Sequence, residues 1–447
     1  MTAKLPRLDA TKKVPQGDLL LCGLTIVPGV GPVQRNAAVA IKSGRLSAIG
    51  PSAEVRARHQ DLNAFDAHGY TAIPGLVNAH THAAMGFFRG LGHGQDEMIE
   101  TFFFPAEKSL TPELLEPLAY SYLYGGLLSG STTFGDHYYH VAGVAKAIDR
   151  LGLRGVVGET VADLGGAFPG RKGWEEWQRT IERWPFSSRL TPSIAPHAAD
   201  TVSPSLLREL ATFAQSHHLP LHLHLSQSSG ERQRVLKREG CTPVAYAERC
   251  GALTSKTLAV HLVTVDRDDL YILARSGVTA GHCPASQIVY ERLSPIDGFL
   301  KHGIPVALGT DCAASNDSAD LLAEMRLTAL LAADRGVPLT QRGPAEILRM
   351  GTLNGAVGLG LGDDLGSLEE GKAADLVLLA NDLTTEPDER PEVNVLFSHA
   401  SRNVRHVLVD GRFVLFHSQP TLMSVSDMRA AYLEAVSEIY RRLGRRH

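Results

Sequence analysis

Two histidines, His80 and His82, end an apolar run that follows Pro74-Gly75. In a β-strand, residues two apart project from the same face, so both imidazoles would point to the same side. Neutral imidazole is the commonest side chain for binding a divalent transition metal. An isolated pair of this kind could also be two hydrogen-bonded histidines in a polar core. The choice between these interpretations depends on whether further ligands follow along the chain.

Further polar residues stand at or just after the carboxyl ends of the strands predicted in the middle of the chain. They are His197, His224, His261, His282 and Asp311. Any one of them alone could be a hydrogen-bonded core residue. A His or Asp at the same end of six strands indicates a metal site instead. His222 competes with His224 for the fifth strand, because the two side chains share a face of that strand.

Strands and helices alternate between about residues 73 and 364. Eight segments are predicted as strands: residues 73–78, 131–135, 154–158, 190–195, 220–225, 257–261, 278–281 and 305–309. Helical patterns, such as residues 204–217 and 318–335, lie between them. Eight consecutive strand–helix units favour a (β/α)₈ TIM-like barrel, which carries its chemistry at the carboxyl ends of its strands.

Both ends of the chain have another pattern, in which short apolar runs alternate with glycine-containing turns. An Asp410-Gly411 pair between two apolar runs predicts a β-hairpin. We therefore predict an α/β protein in which residues 1–72 and 365–447 form one small β-sandwich domain beside a barrel at residues 73–364. An amphipathic helix is expected after Ser426.

The composition argues against several classes of function. A net charge of −4 offers no basic excess for binding nucleic acid. The sequence has no apolar run near 18 residues and no signal-peptide pattern, so neither membrane insertion nor export is expected. The five cysteines are odd in number and form no Cys-x-x-Cys pair, which fits reduced thiols in a cytoplasmic protein.

These motifs resemble those of the amidohydrolase superfamily, in the branch of S-adenosylhomocysteine/methylthioadenosine deaminases, guanine deaminases and triazine chlorohydrolases. The resemblance covers most of the chain, and its most specific parts are residues 74–82 and 309–316. It implies four metal ligands: His80, His82, His224 and Asp311. It also places His261 beside the metal-bound water and His197 near the substrate. His224 is preferred over His222 because Gln227 follows it at the family's three-residue offset.

The resemblance implies one divalent metal per chain, since no strand end carries the lysine that bridges two metals in binuclear members. Three histidines and a carboxylate suit Zn²⁺, and Fe²⁺ would fit the same ligands. Such an ion lowers the pKa of a bound water toward about 7, so hydroxide attack on an electron-poor sp² ring carbon is expected. Asp311 would carry the proton to the leaving group, and His261 would orient the water and stabilise the developing negative charge.

Gln227 departs from the pattern of this branch, in which deaminases have a glutamate that protonates a ring nitrogen. An amide can donate a hydrogen bond but cannot transfer a proton at neutral pH. Several interpretations remain open. The substrate needs no protonation there, a neighbour such as Glu231 supplies the proton, the chemistry is not adenine-type deamination, or Gln227 is a tolerated isostere.

Two further residues are candidates for binding the substrate. Glu107 lies in a segment that resembles the one offering a carboxylate to the ribose hydroxyls in S-adenosylhomocysteine deaminases. It could equally be a solvated carboxylate near the start of a helix. His282 would either hold the ligand or support Asp311.

The expected function is metal-dependent hydrolytic deamination of a small-molecule substrate, an amino-substituted N-heteroaromatic such as a purine nucleoside or a pterin-like ring. One alternative is a hydrolase that releases chloride or an alkylamine from a triazine-like ring. Another is a non-catalytic scaffold with the same fold. The family resemblance also implies a homo-oligomer.

Overall fold

The computed structural model describes residues 13–91, 98–335 and 343–444. The strands in chain order are β1 (Leu19–Ile26), β2 (Gln34–Lys42), β3 (Arg45–Pro51), β4 (Asn63–Asp66), β5 (Tyr70–Pro74), β6 (Leu76–Thr81), β7 (Ser131–Tyr138), β8 (Arg154–Val161), β9 (Leu190–Pro192), β10 (Ala195–Pro196), β11 (Leu221–Leu225), β12 (Thr257–His261), β13 (Thr279–His282), β14 (Val306–Leu308), β15 (Leu376–Ala380), β16 (Val404–Val409), β17 (Arg412–Phe416) and β18 (Gln419–Pro420).

The α-helices in chain order are α1 (Ser52–Arg58), α2 (Phe104–Glu107), α3 (Pro112–Leu128), α4 (Ala142–Arg150), α5 (Lys172–Arg183), α6 (Pro204–Ser216), α7 (Ser229–Glu239), α8 (Pro243–Arg249), α9 (Arg267–Ser276), α10 (Pro284–Tyr290), α11 (Ile296–Lys301), α12 (Leu321–Asp334), α13 (Pro344–Met350), α14 (Leu353–Gly358), α15 (Pro391–Phe397) and α16 (Val425–Arg442). A 3₁₀ helix covers Ala83–Phe88, and a π-helical turn covers Ile99–Phe103. No helix in the described ranges is long and apolar enough to span a bilayer.

Strands from both ends of the chain join in one nine-stranded sheet. The connection between the two ends is made by β5 and β15, which pair antiparallel along their whole length. Alternating apolar residues from several strands of the sheet, such as Leu21, Val39, Leu376 and Leu408, bury one face of it in a common core. The two termini therefore build one β-unit together, as the matching patterns of their sequences predicted.

The middle of the chain forms a closed parallel barrel with eight strand positions. Strand β6 pairs with β7, and β7 with β8, whose other edge pairs with the two short strands β9 and β10. Strands β11 to β14 pair in sequence order and form a second parallel sheet. Bridges between Thr81 and Asp311, and between Ile194 and Leu221, join the two sheets edge to edge. The barrel brings the carboxyl ends of its strands to one rim, where the predicted site residues lie.

The first barrel strand differs from the prediction. The predicted strand at residues 73–78 is divided between two sheets, because Ile73 and Pro74 belong to β5 and the barrel strand starts at Leu76. Gly75 makes the change of sheet possible. Its N–H donates to the carbonyl oxygen of Asp375 at 2.9 Å, and a Cβ at this position would lie 2.3 Å from the Thr132 hydroxyl oxygen.

Strands β7 and β8 each continue three residues beyond Gly135 and Gly158, where we predicted their ends. These glycines lie where neighbouring strands approach closely and do not mark turns. A Cβ on Gly135 would lie 2.3 Å from the carbonyl oxygen of Ala79, and one on Gly158 would lie 2.6 Å from Ala195 Cβ. The longer strands carry additional polar residues to the rim of the barrel.

Candidate metal and active site

The predicted metal ligands converge at the carboxyl end of the barrel. Asp311 Oδ1 lies 3.7 Å from His80 Nε2 and 3.5 Å from His82 Nε2. The Nε2 atom of His224 lies 3.3 Å from that of His82. A ring nitrogen of His261 joins those of His80 and His224 in a group whose atoms lie within 4.8 Å of one another. The fold therefore brings together five residues from strand ends far apart in the sequence.

Each of the three histidines that surround Asp311 uses its Nδ1 atom in a hydrogen bond. The Nδ1 of His82 bonds to the carbonyl oxygen of His137, and that of His224 bonds to the carbonyl oxygen of His197 at 2.9 Å. Because a carbonyl only accepts, Nδ1 carries the proton and Nε2 presents its lone pair to the centre of the cluster. This is the tautomer that a metal ligand needs.

His222 holds His80 rather than competing with His224. The His80 Nδ1 atom lies 2.8 Å from His222 Nε2, which can accept its proton and leave His80 Nε2 directed at the cluster. The bond needs His222 to lie one pleat below the cluster, on the same face of β11 as His224. The structure thus separates the two histidines that shared a face in the sequence.

The cluster has the properties of a metal site. His80 Nε2 is buried and has no hydrogen-bond partner among the described residues, so its lone pair is unsatisfied without a further group. Burial, and then the neighbouring histidines, lower the pKa of His80 and of His224 well below the usual value, which keeps both imidazoles neutral. Three imidazoles and one carboxylate are a fitting donor set for a divalent transition metal.

Asp311 is held by contacts on both its side chain and its backbone. Ser286 Oγ donates to Asp311 Oδ2 at 2.5 Å and receives a hydrogen bond from Ser315 Oγ at 2.8 Å. The backbone of Asp311 adopts a positive φ of 60°, and Tyr122 donates to its carbonyl oxygen at 2.9 Å. These contacts aim Oδ1 at the histidines and leave Oδ2 with the serine.

We expect the Ser286→Ala variant to lower kcat by about tenfold with little change in KM, because Asp311 loses the donor that orients its carboxylate. Steady-state kinetics, together with the metal content of the same sample, would test this. Ser129→Ala is a matched control, since Ser129 is equally buried but bonds to backbone carbonyls at the end of α3. Equal kcat values for the two variants would show that Ser286 does not position Asp311.

A cavity of about 500 Å³ opens above the cluster. Its apolar wall includes Met85, Phe103, Phe104 and Tyr290. Glu107 also lines it, and the interpretation of Glu107 as a solvated helix-start carboxylate is wrong, since only 4% of its surface is exposed. Tyr138 donates to Glu107 Oε1 at 2.8 Å, and burial raises the pKa of Glu107 to about 7.

The other predicted substrate residues divide between the cavity and the core. His197 lines the cavity, where Thr201 Oγ1 lies 2.8 Å from its Nδ1 and burial lowers its pKa to about 4. His282 is buried outside the described cavity wall, and its Nδ1 lies 2.9 Å from Ser294 Oγ. The structure therefore does not bring His282 into position to contact a ligand in this cavity.

Gln227 lies on the cavity wall, whereas Glu231 does not. The Glu231 carboxylate accepts the backbone N–H groups of Ser226 at 3.2 Å and Gln227 at 2.6 Å from behind the loop. Burial raises its pKa. Glu231 thus fixes the loop that carries Gln227, and this position does not support its direct protonation of a substrate.

The sequence-based prediction missed three residues at the end of β7. The ring of His137 stacks on that of His224, with centroids 4.6 Å apart and an angle of 9° between the planes. Asp136 Oδ2 accepts the backbone N–H of Ala83 at 2.7 Å and so holds the turn that follows His82. Tyr138 positions Glu107. The signal available in the sequence was Asp136 and His137 directly after a predicted strand end.

Comparison with known proteins agrees with this arrangement. The profile of the Amidohydrolase family matches residues 71–414. The 5-methylthioadenosine/S-adenosylhomocysteine deaminase of Syntrophobacter fumaroxidans is 35% identical over 405 residues, which cover 88% of this chain and 91% of the relative. The chain belongs to the amidohydrolase family. It is accordingly a hydrolase, and the predicted family is confirmed.

Two solved structures have the same fold as this chain. An adenosine deaminase from Xanthomonas campestris with bound zinc superposes with a TM-score of 0.90 at 26% identity, over 95% of this chain and 99% of that chain. Atrazine chlorohydrolase from Arthrobacter aurescens, complexed with zinc, superposes at 0.83 and 23% identity, over 94% and 100%. The second likeness is one of fold alone. Together they confirm the predicted barrel with a β-domain built from both ends.

Proposed function

We propose that this chain is a hydrolytic deaminase that replaces the amino group of an adenine-like N-heteroaromatic ring with oxygen. The main observation behind this proposal is that three histidine Nε2 atoms and Asp311 Oδ1 converge beneath a cavity large enough for a small heteroaromatic ligand. Likeness along nearly the whole chain to a protein named as an adenosine-derivative deaminase supports the proposal.

In this proposal one divalent metal, Zn²⁺ in preference to Fe²⁺, would be held by His80, His82, His224 and Asp311. The chemistry that a metal bound there would supply is an activated water molecule as the nucleophile. Asp311 takes the proton of that water and passes it to the departing amine, because its carboxylate reaches the centre of the cluster. His261, beside this centre, orients the water and stabilises negative charge as it develops.

The remaining wall residues bind the substrate. Glu107 accepts hydrogen bonds from ribose hydroxyls when its carboxyl is ionised, and Tyr138 holds it in place. His197 Nδ1 forms a hydrogen bond with Thr201, and His197 Nε2 forms one with the substrate. Gln227 donates to, or accepts from, the edge of the heteroaromatic ring.

Removal of the metal is expected to abolish activity, because the nucleophile depends on it. The purified chain should contain about one metal ion and release ammonia from adenosine-type substrates. Chelation should stop the release, and added Zn²⁺ should restore it. Release of chloride or an alkylamine from triazines, without ammonia from any purine, would favour the triazine hydrolase alternative. A chain that binds no stoichiometric metal would instead be a non-catalytic scaffold.

We also infer from the family that the protein acts in the cytoplasm as a homo-oligomer. Light scattering on the purified chain would measure its mass in solution. A monomer at micromolar concentration would contradict the inferred oligomer.

A further inference from the structure

The side chain of Gln227 faces the cavity without a hydrogen-bond partner among the described residues. Its backbone is fixed from behind by Glu231, so the amide points to the ligand from a defined position. An amide can donate or accept a hydrogen bond there, but it cannot supply a proton. Addition of water to a neutral ring leaves negative charge on the ring nitrogen next to the reacting carbon. A neutral ring therefore needs an acid that Gln227 does not provide.

Other carboxyl groups of the wall are already engaged. Arg234 pairs with Asp200 at 2.7 Å and with Glu100 at 3.1 Å. Glu291 accepts hydrogen bonds from the backbone N–H of Ser229 at 2.9 Å and from its hydroxyl at 2.5 Å. Glu107 is held by Tyr138, in the position that we assign to the ribose. Each of these carboxyl groups in the described part of the wall therefore already has a partner or a role other than protonating the ring.

The wall also carries an excess of acidic groups. Apart from Asp311, it has four carboxyl groups and one guanidinium, which are Glu100, Glu107, Asp200, Glu291 and Arg234. A cavity lined mainly by one sign of charge concentrates ligands of the opposite sign, and low-dielectric walls strengthen this effect. Glu107 adds little to this charge because its raised pKa leaves it only partly ionised. Glu100, Asp200 and Glu291 still outnumber Arg234, so the wall above the metal cluster keeps an acidic excess that favours a cationic substrate over a neutral or anionic one.

Building on the proposed function, we propose that the substrate ring is already cationic at neutral pH, because the nitrogen beside the reacting carbon carries an alkyl group. As the water oxygen bonds to that carbon, the electron pair of the ring C=N bond moves onto the alkylated nitrogen and neutralises it. The bond from carbon to the amino group then breaks, and both protons of the water leave with the amine. A cationic ring and water give a neutral oxo ring and ammonium, so atoms and charge balance.

The test compares adenosine with 1-methyladenosine as substrates of the zinc-loaded protein, with ammonia as the measured product. We expect kcat/KM to be higher for 1-methyladenosine by roughly 10²-fold or more, which is the usual contribution of a general acid that this site lacks. Equal or faster turnover of adenosine would overturn the inference and leave the proposed function standing. Ammonia from neither compound, with metal bound, would overturn both.

A binding measurement tests the inference without turnover. Calorimetry with the Asp311→Asn variant should show tighter binding of 1-methyladenosine than of adenosine at low salt, by about tenfold. The difference should narrow at high salt, because salt screens the attraction between the acidic wall and the cation. Equal affinities at both salt concentrations would contradict the cationic substrate.

Discussion

The Asp311→Asn variant is expected to lose nearly all turnover, with kcat lower by at least about 10³-fold. An amide oxygen can still occupy the position of Oδ1, but it cannot take a proton from water or give one to the amine. The fold should persist, because Asn has the same shape and the backbone of Asp311 is held by Tyr122 independently of the side chain. Ammonia release and thermal unfolding, measured on one preparation, would check both expectations.

Asp320→Asn is the matched control for this substitution. Asp320 caps the first turn of α12 by accepting the backbone N–H of Ala323 at 3.1 Å, and it lies outside the described cavity wall. Asn is as good a helix cap as Asp, so both activity and stability should be unchanged in this variant. If the kcat of the Asp311→Asn variant is close to that of the control, Asp311 does not transfer the proton.

The Gln227→Glu variant is expected to gain deamination of neutral adenine-type rings, with kcat/KM higher by about 10²- to 10⁴-fold. The new carboxyl group keeps the shape of the amide and adds a transferable proton. Its pKa should rise from the ordinary value because Asp200 and Glu291 line the same wall, so a protonated acid would be present near neutral pH. Ammonia release from adenosine and 5′-methylthioadenosine would measure the gain.

Gln227→Met separates proton donation from the shape of the side chain. It retains the approximate length but offers neither a proton nor a hydrogen bond, so deamination of neutral rings should not rise. Unchanged rates for every ring in the Glu variant would support the interpretation of Gln227 as a tolerated isostere. A gain in the Met variant as large as that in the Glu variant would also contradict the role of a transferred proton.

The barrel and the cluster could be predicted because both follow from local spacing. Alternation of apolar runs with helical patterns defines parallel strands, and parallel strands present their carboxyl ends at one rim. The two-residue period of a strand places His80 and His82 on one face, whatever the rest of the chain does. The same period places His222 and His224 on one face and does not say which of them is the ligand. The structure distinguishes them, because His222 forms a hydrogen bond with His80.

The errors occurred where a residue's role depends on what lies across the barrel. Gly135 and Gly158 were predicted as strand ends, but each lies where a neighbouring segment leaves no room for a Cβ. As a result, His137 was left outside the predicted strand. His282 has the same local pattern as its neighbours at the rim, yet its side chain is buried beside Ser294.

The sequence by itself determined which residue types lie at the carboxyl ends of the parallel strands: three histidines, an aspartate and His261. Only the tertiary structure decided which nitrogen faces the centre, which serine aims Asp311, and which carboxyl groups reach the cavity. The physical reason is that periodicity acts within one strand, whereas a hydrogen bond such as that from Ser286 to Asp311 depends on the packing of separate elements. Such contacts become definite only once the barrel has closed.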